Sequence, residues 1–589
     1  MKKTNIKTEW NLGLYYKSPD DSNIERDLVR LENLCADFAE KYKLFESYRE
    51  NISKVAEGLE AFEKVEAELG GAKPLMYFQY RMALNTQEMR NQSEIAKGID
   101  RLTKAHNKTL FFPLSLGKIP AAFQEKYLSS LELKEFRYCL TVLFKESKHH
   151  LSEPEEKIMN LKSLPAHSLW IQAQEKILYS NSVPFKGKEI PLAEAQFKIS
   201  ALKTKDRHAL HNAVVSVYKK TAPFAEAEIN AVYTDKKIDD ALRNFKKPYS
   251  STVLSCQNDE NAVEKLVKTV TDAFSTSHDF YALKKKLLKL PKLGYADRSA
   301  KIGEVKRTFS FEESVELVRA GFGKVDKQFV DLFDRFLANG QIDVFPKKGK
   351  EGGAFCSGTY NQPTFVFLNH VNTFDSMRTL AHEMGHAIHT EFSKKQRPMY
   401  QSYTTSTAEV ASTLFENFAF EEVFEKLTPK EKIIALHDRV QDDISTIFRQ
   451  IACFNFELEL HNEIRTKGAL SHEDIARLHN KHMSAYLGTH FKLSLDDGYF
   501  FVSWSHIRRF FYVYSYSYGE LVSKVLYRRF KEDKKYVDKL VAFLSAGGSM
   551  SPEDIFKTAG IDTSKPDFIN EGLAEVKQKI KELELLTKS

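Results

Sequence analysis

The segment TLAHEMGHAIHTEF, residues 379–392, constrains this chain more tightly than any other stretch. Met377, Leu380, Ala381, Met384, Ala387 and Ile388 recur at helical spacing, Asn372 or Thr373 supplies an N-cap, and Asp375 places a negative charge in the first turn. On such a helix His382 and His386 lie one turn apart along the axis and about 40° apart around it, so both imidazoles can reach a single ion. Glu383 points to the neighbouring side of the same place, where it can hold a water without ligating the ion, as a general base for water attack requires. Gly385 costs the helix about 1 kcal/mol relative to Ala, which implies that something packs closely against that face.

An ordinary helix carrying solvated or core histidines is the alternative, and a third ligand separates the two readings. A catalytic zinc usually has three protein ligands and an open position. His389 stands where the glycine of an HxxGxxH extension would be, so the third ligand must come from a separate element. STAEVASTLFENFAFEE, residues 406–422, is again helical in pattern, with Glu409 and Glu416 seven apart and therefore on one face. Glu409 follows His382 by 27 residues, room for the first helix to end, a loop to turn around Arg397-Pro398, and a second helix to pack beside it. The expected site is therefore two histidines and one glutamate: His382, His386 and Glu409. Glu416, two turns further on, is expected to orient a ligand imidazole, with a surface or interhelical carboxylate as an equally good reading.

The chain has 589 residues, beyond the size at which one core stops growing, so two or more packed subdomains are expected. Hydrophobic residues at 42% and charged residues at 28% describe an ordinary globular protein. A net charge of +7 spread over this length, with no recognised binding module, argues against nucleic acid as a partner. No apolar run approaches the roughly 18 residues needed to span a bilayer, so no membrane segment is expected. The five cysteines are scattered without a CxxC pair, which suggests neither a disulfide framework nor a thiolate metal site and fits a reducing compartment. The start, MKKTNIKTEW, lacks an apolar h-region, and the expected location is cytoplasmic.

Apolar residues at three-and-four spacing run through 24–70, 75–110, 259–290, 430–468 and 566–586, so helices should dominate. Residues 342–371 alternate instead and carry Thr364-Phe365-Val366-Phe367, which reads as a small sheet or hairpin just before the histidine helix. The basic run KKKLLKLPK, 284–292, reads as a solvated helix end leading into a linker.

LAHEMGHAIHTEFSKKQRP followed by STAEVASTLFE resembles the zinc core of the oligoendopeptidase F branch of the thimet-oligopeptidase-like metallopeptidases. GGAFCSGTYNQPTFVFLN, DDGYFFVSWSHIRRFFYVYSYSYGEL, the tail FLSAGGSMSPEDIFKTAGID and the start EWNLGLYYKSPDD are similar to that family as well, so the resemblance covers essentially the whole chain. It implies a mainly α fold of two helical subdomains enclosing a deep substrate channel, with a small β-sheet beside the zinc helix. It further implies an N-terminal domain over 1–195 and a catalytic domain over 196–589. One Zn²⁺ per chain would be held by His382, His386 and Glu409, with Glu383 as general base. His506 and Tyr512 align with the donors to the developing oxyanion, and Tyr514 and Tyr516 lie in the same segment as candidate substrate contacts, with plain aromatic packing in a Tyr-rich helix as an equal reading.

Gly352, Gly353 and Ala354 have little or no side chain, so a substrate backbone could pair with an edge there, although a tight turn needs the same glycines. Cys356, beside them, reads as a packed thiol. The expected activity is hydrolysis of internal bonds in short unstructured oligopeptides. A helical zinc carboxypeptidase and a catalytically silent peptide-binding protein are the alternatives, and both monomer and homo-oligomer are compatible with the sequence.

Overall fold

Helices carry most of the residues that the three-and-four spacing marks as helical, and the computed structural model describes residues 6–588. The expected run over 24–70 divides into Asn23–Tyr42, Phe45–Tyr48 and Ile52–Gly70, because Asn51 caps the last by accepting from the Lys54 N–H at 3.2 Å. The run over 430–468 is helical from Pro429 to Lys467, with a π-helical insertion at Ile444–Arg449. No helix is long and apolar enough to cross a membrane among the described residues.

The chain forms two compact units that interleave along the sequence. The first gathers residues up to 148 with 307–426 and 526–560; the second gathers 149–306, 427–525 and the residues from 561 on. Strands are few. In the second unit β1 (Ser182–Phe185) and β2 (Lys188–Pro191) form an antiparallel hairpin. In the first unit β3 (Ile342–Asp343), β4 (Phe355–Ser357) and β5 (Phe365–Phe367) form a sheet of order β3-β5-β4, with β5 parallel to β3 and antiparallel to β4.

The N-terminal segment seals that sheet. Trp10 donates its indole N–H to the Val366 carbonyl at 2.8 Å, and Val344 N–H bonds to the Thr8 carbonyl at 3.0 Å. Trp10, Tyr15, Tyr77, Phe78 and Tyr80 pack with Phe365 and Phe367 into one aromatic cluster, which gives the EWNLGLYY start a structural purpose. On its other side the sheet abuts the histidine helix, Phe374–Ser393, capped by Thr373 through the Ser376 N–H at 3.2 Å.

After that helix the loop is fixed by Arg397, whose guanidinium grips Glu63 through two bonds of 2.7 Å and lies 3.9 Å from the Phe136 ring centre. Gly547 and Gly548 lie against the carbonyls of Tyr400 and Ser402, where a Cβ would collide at 2.1 and 2.3 Å. The glutamate helix, Thr405–Phe424, then packs on the histidine helix.

At Gly385 the two helices approach closely. A Cβ there would stand 2.7 Å from the Ser412 Cα and 2.9 Å from the Ala411 carbonyl, so the glycine is needed for backbone approach. The basic run differs from expectation at one residue: Lys284 is fully buried, its ammonium donating to the Arg298 carbonyl at 2.9 Å and to Gln441. Gly385→Ala should destabilise the protein by about 1–3 kcal/mol despite alanine's better helix propensity. Thermal unfolding checks this, and an unchanged or raised melting temperature would contradict the close crossing.

Candidate metal centre

Three residues of the two crossed helices converge. His382 Nε2 lies 3.6 Å and His386 Nε2 3.8 Å from the same oxygen, Glu409 Oε2, and the three potential ligand atoms lie within 4.8 Å of one another. Ligands about 2.1 Å from a tetrahedral zinc stand roughly 3.4 Å apart, so the donor set fits such an ion with a small closure. Both imidazoles and the carboxylate are partly exposed, which leaves one side of the cluster open.

The remaining ring nitrogen of His382 faces Glu416, with Nδ1 3.2 Å from Oε2. Glu416 is itself clamped by Arg378, whose Nε and Nη2 donate to its other oxygen at 2.9 and 2.7 Å. An Nδ1–H held by a carboxylate fixes the tautomer that turns Nε2 lone-pair outward, which is what a ligand needs. The Arg378 contact was not anticipated, yet its signal is in the sequence: 378, 382 and 386 are spaced by four and share one helix face.

Glu383 is buried at 7% exposure and makes no side-chain hydrogen bond to any described residue. Burial, with the nearby charge of Glu409, pushes its carboxyl up to about 7 against the opposing effect of His382. Burial pushes His386 down to about 4, helped by His382. Burial acts on His382 in the same direction, but its hydrogen bond to Glu416 and the surrounding carboxylates outweigh it and raise the ring to about 9. A divalent cation among these groups would offset the gathered carboxylates and take the place of a proton on His382.

Other anticipated residues separate. Gly352 and Gly353 are exposed, Gly353 has a φ of +83°, and a side chain at either would meet nothing within 4 Å. Ala354 leads into β4, one of the two edge strands, while the Glu351 and Gly353 carbonyls are held by Asn369 Nδ2 at 2.9 and 2.8 Å. Cys356 on β4 has its thiol pushed well up by burial and by the charge of Glu383, so it stays protonated, as a packed thiol does. His389 is a core residue, stacked on Tyr403 at 3.7 Å between ring centres.

In the second unit His506 Nδ1 and the Tyr512 hydroxyl are hydrogen-bonded at 2.5 Å. Burial, with Arg449 and Arg509, lowers His506 to about 4, and burial raises Tyr512, so both are neutral at pH 7. The chain between them is strained: Phe510 and Phe511 have φ of +52° and +60°, a region that bulky residues avoid. Glu457 holds it by accepting the Phe511 N–H at 2.9 Å. Tyr516 stands beside His506, with ring centres 5.9 Å apart. Tyr514 corrects the expectation of a substrate contact: it is fully buried, its hydroxyl donating to Asn258 at 2.9 Å. Tyr514 and Tyr516, two residues apart, lie on opposite faces of that helix.

A second potential ligand group, Glu226, His472 and Glu473, has Glu226 already accepting the His472 backbone N–H at 2.8 Å at a helix start.

The family model described as peptidase family M3 matches residues 200–575, and that described as Oligopeptidase F matches 116–178. Oligopeptidase PepF of Bacillus subtilis (strain 168) is 26% identical, over 96% of this chain and 88% of its own length. An oligoendopeptidase F homolog of Borreliella burgdorferi is 24% identical over 98% of each chain. The fold is shared with a protein from Chlamydophila abortus (TM-score 0.86, 21% identity, 98% of each chain). It is also shared with oligoendopeptidase-F from Enterococcus faecium (TM-score 0.71, 18% identity, 96% of this chain and 99% of that one).

Replacing Glu416 by Ala should weaken zinc binding by about 10- to 100-fold, since His382 then loses its orienting partner. Competition against a chelator of known affinity measures this; unaltered affinity would leave Glu416 a purely interhelical carboxylate.

Proposed function

Because the chain belongs to peptidase family M3 and is an oligoendopeptidase F-like metallopeptidase, we propose that it cleaves internal bonds of short unstructured peptides using one zinc ion per chain, held by His382, His386 and Glu409. The observation that carries this reading is the convergence of the three ligand atoms beside a buried glutamate with no other partner. When bound, zinc supplies Lewis acidity, acidifying water and polarising a peptide carbonyl.

The chain's own residues do the rest. Glu383 takes the proton from the attacking water and delivers it to the leaving amine. His506 and Tyr512 donate to the oxyanion. Their neutrality supports that role, because a neutral donor aimed at a developing charge stabilises the transition state more than the ground state. The edge at Gly352, Gly353 and Ala354 and the ring of Tyr516 are proposed to contact the peptide backbone. An N-terminal module over 1–195 and a catalytic module over 196–589 belong to the same reading. The gap between the two matched segments, 116–178 and 200–575, supports a boundary there. So does a cytoplasmic location draw support from five cysteines that are all free thiols.

Glu383→Gln should retain zinc and lose nearly all turnover, since the amide cannot accept the proton. Metal analysis beside a peptide assay tests both halves, and an active variant would remove Glu383 as base. Tyr512→Phe should lower kcat by roughly a hundredfold with KM little changed if the hydroxyl serves the oxyanion. An unaffected kcat would reduce Tyr512 to a packing role.

A further inference from the structure

His506 stands at the end of a continuous aromatic wall within the second unit. Ring centres step from His506 to Trp504 at 6.4 Å, to Phe500 at 5.7 Å and to Tyr295 at 5.6 Å. Two guanidinium groups lie on this wall. The Cζ of Arg449 is 4.6 Å from the Trp504 ring centre and 5.5 Å from that of Phe500. The Cζ of Arg298 is 4.9 Å from the same Phe500 ring and 4.3 Å from Tyr295.

Neither arginine forms an ion pair with any described carboxylate. Arg449 Nε is buried without an acceptor, and the Arg298 guanidinium has a single long bond, 3.4 Å to the Tyr295 carbonyl. Other interior arginines of the same unit reach a carboxylate: Arg508 grips Glu228 at 2.9 and 2.7 Å, Arg207 lies 2.7 Å from Asp297, and Arg439 and Arg465 pair with Glu520 and Asp240. The wall behind the unpaired arginines is equally short of acceptors. The Tyr295 hydroxyl, the Trp504 indole nitrogen and both ring nitrogens of His479 are buried with no partner, on side chains 1%, 4% and 0% exposed.

Cation–π contact stabilises a guanidinium but leaves its N–H groups unbonded. Half-buried donors in such number, with no acid among them, are costly unless an anion arrives to accept from them. Arg449 also closes the π-helical insertion Ile444–Arg449, a local irregularity of the kind that re-aims side chains at functional sites. Phe500, Arg298 and Arg449 are partly exposed, so an extended ligand can reach them.

We propose that Arg449 and Arg298 form a carboxylate-binding subsite that takes a negatively charged group of the peptide substrate, its free C-terminal carboxylate in the first place. The inference rests on the proposed function for the identity of the ligand. A planar guanidinium fixed by stacking is pre-organised for bidentate carboxylate bonds, and a chain end is the one carboxylate that every peptide carries.

The test uses the zinc-loaded Glu383→Gln protein, in which turnover is blocked, and one ten-residue peptide lacking Asp and Glu. Calorimetry compares the free acid, its C-terminal amide, and the amide carrying one Glu near the C-terminus. The free acid should bind roughly 10- to 100-fold more tightly than the amide. Arg449→Gln or Arg298→Gln should bring the two within about twofold, with Arg449→Lys recovering part of the difference. Equal recovery of affinity by the Glu-containing amide would assign the subsite to acidic side chains as well as to chain ends. Equal affinities for all three peptides would overturn the proposal, and that comparison needs no arginine variant to fold. Cleavage of the same peptides by the unsubstituted protein is scored separately: discrimination without cleavage would sink the proposed function and leave the subsite standing.

Discussion

The close crossing of the histidine and glutamate helices at Gly385 is the contact on which the metal centre depends. Two helices that pack this closely bring their side chains within reach of a common point, and here the absence of a Cβ at Gly385, which would stand 2.7 Å from the Ser412 Cα, allows Glu409 to meet two imidazoles from the neighbouring helix. A side chain at 385 would part the helices and open the ligand triangle. The loop between them is accordingly held from outside, by the Arg397–Glu63 pair and by glycines 547 and 548 lying against its carbonyls. Remote parts of the sequence thus hold the geometry of one short segment.

An opposite-charge pair does positioning work in each unit. Arg378 holds Glu416, which turns His382, and Arg508 holds Glu228 while also donating to the Phe501, Val502 and Trp504 carbonyls, which shapes the loop carrying His506. Removing one partner of such a pair leaves an uncompensated charge, so these positions tolerate little change. Arg298 and Arg449 depart from this pattern, and for that reason a ligand is the natural completion of their surroundings.

The histidine helix, its Thr373 cap, the packed glycine, the Glu409 helix and the small sheet before them were all legible, because each depends on local spacing and residue chemistry. Arg378 is legible in the same way, one turn ahead of His382. What the sequence could not show arises from long-range packing. The interleaving of the units brings residues 526–560 together with 307–426, and no local pattern announces it. The tyrosine-rich segment 512–518 has an aromatic residue at alternate positions, so periodicity alone does not tell the buried Tyr514 from the partly exposed Tyr512 and Tyr516. Likewise Lys284 reads as one cation in a basic run until its carbonyl and amide partners fold around it.

Anomalous diffraction at the zinc absorption edge, from crystals of the zinc-loaded protein, tests the central claim most directly. The account predicts one peak per chain, about 2.0–2.2 Å from His382 Nε2, His386 Nε2 and a Glu409 oxygen. A peak elsewhere, for example between Glu226 and His472, or density showing the three side chains turned away from the ion, would contradict it.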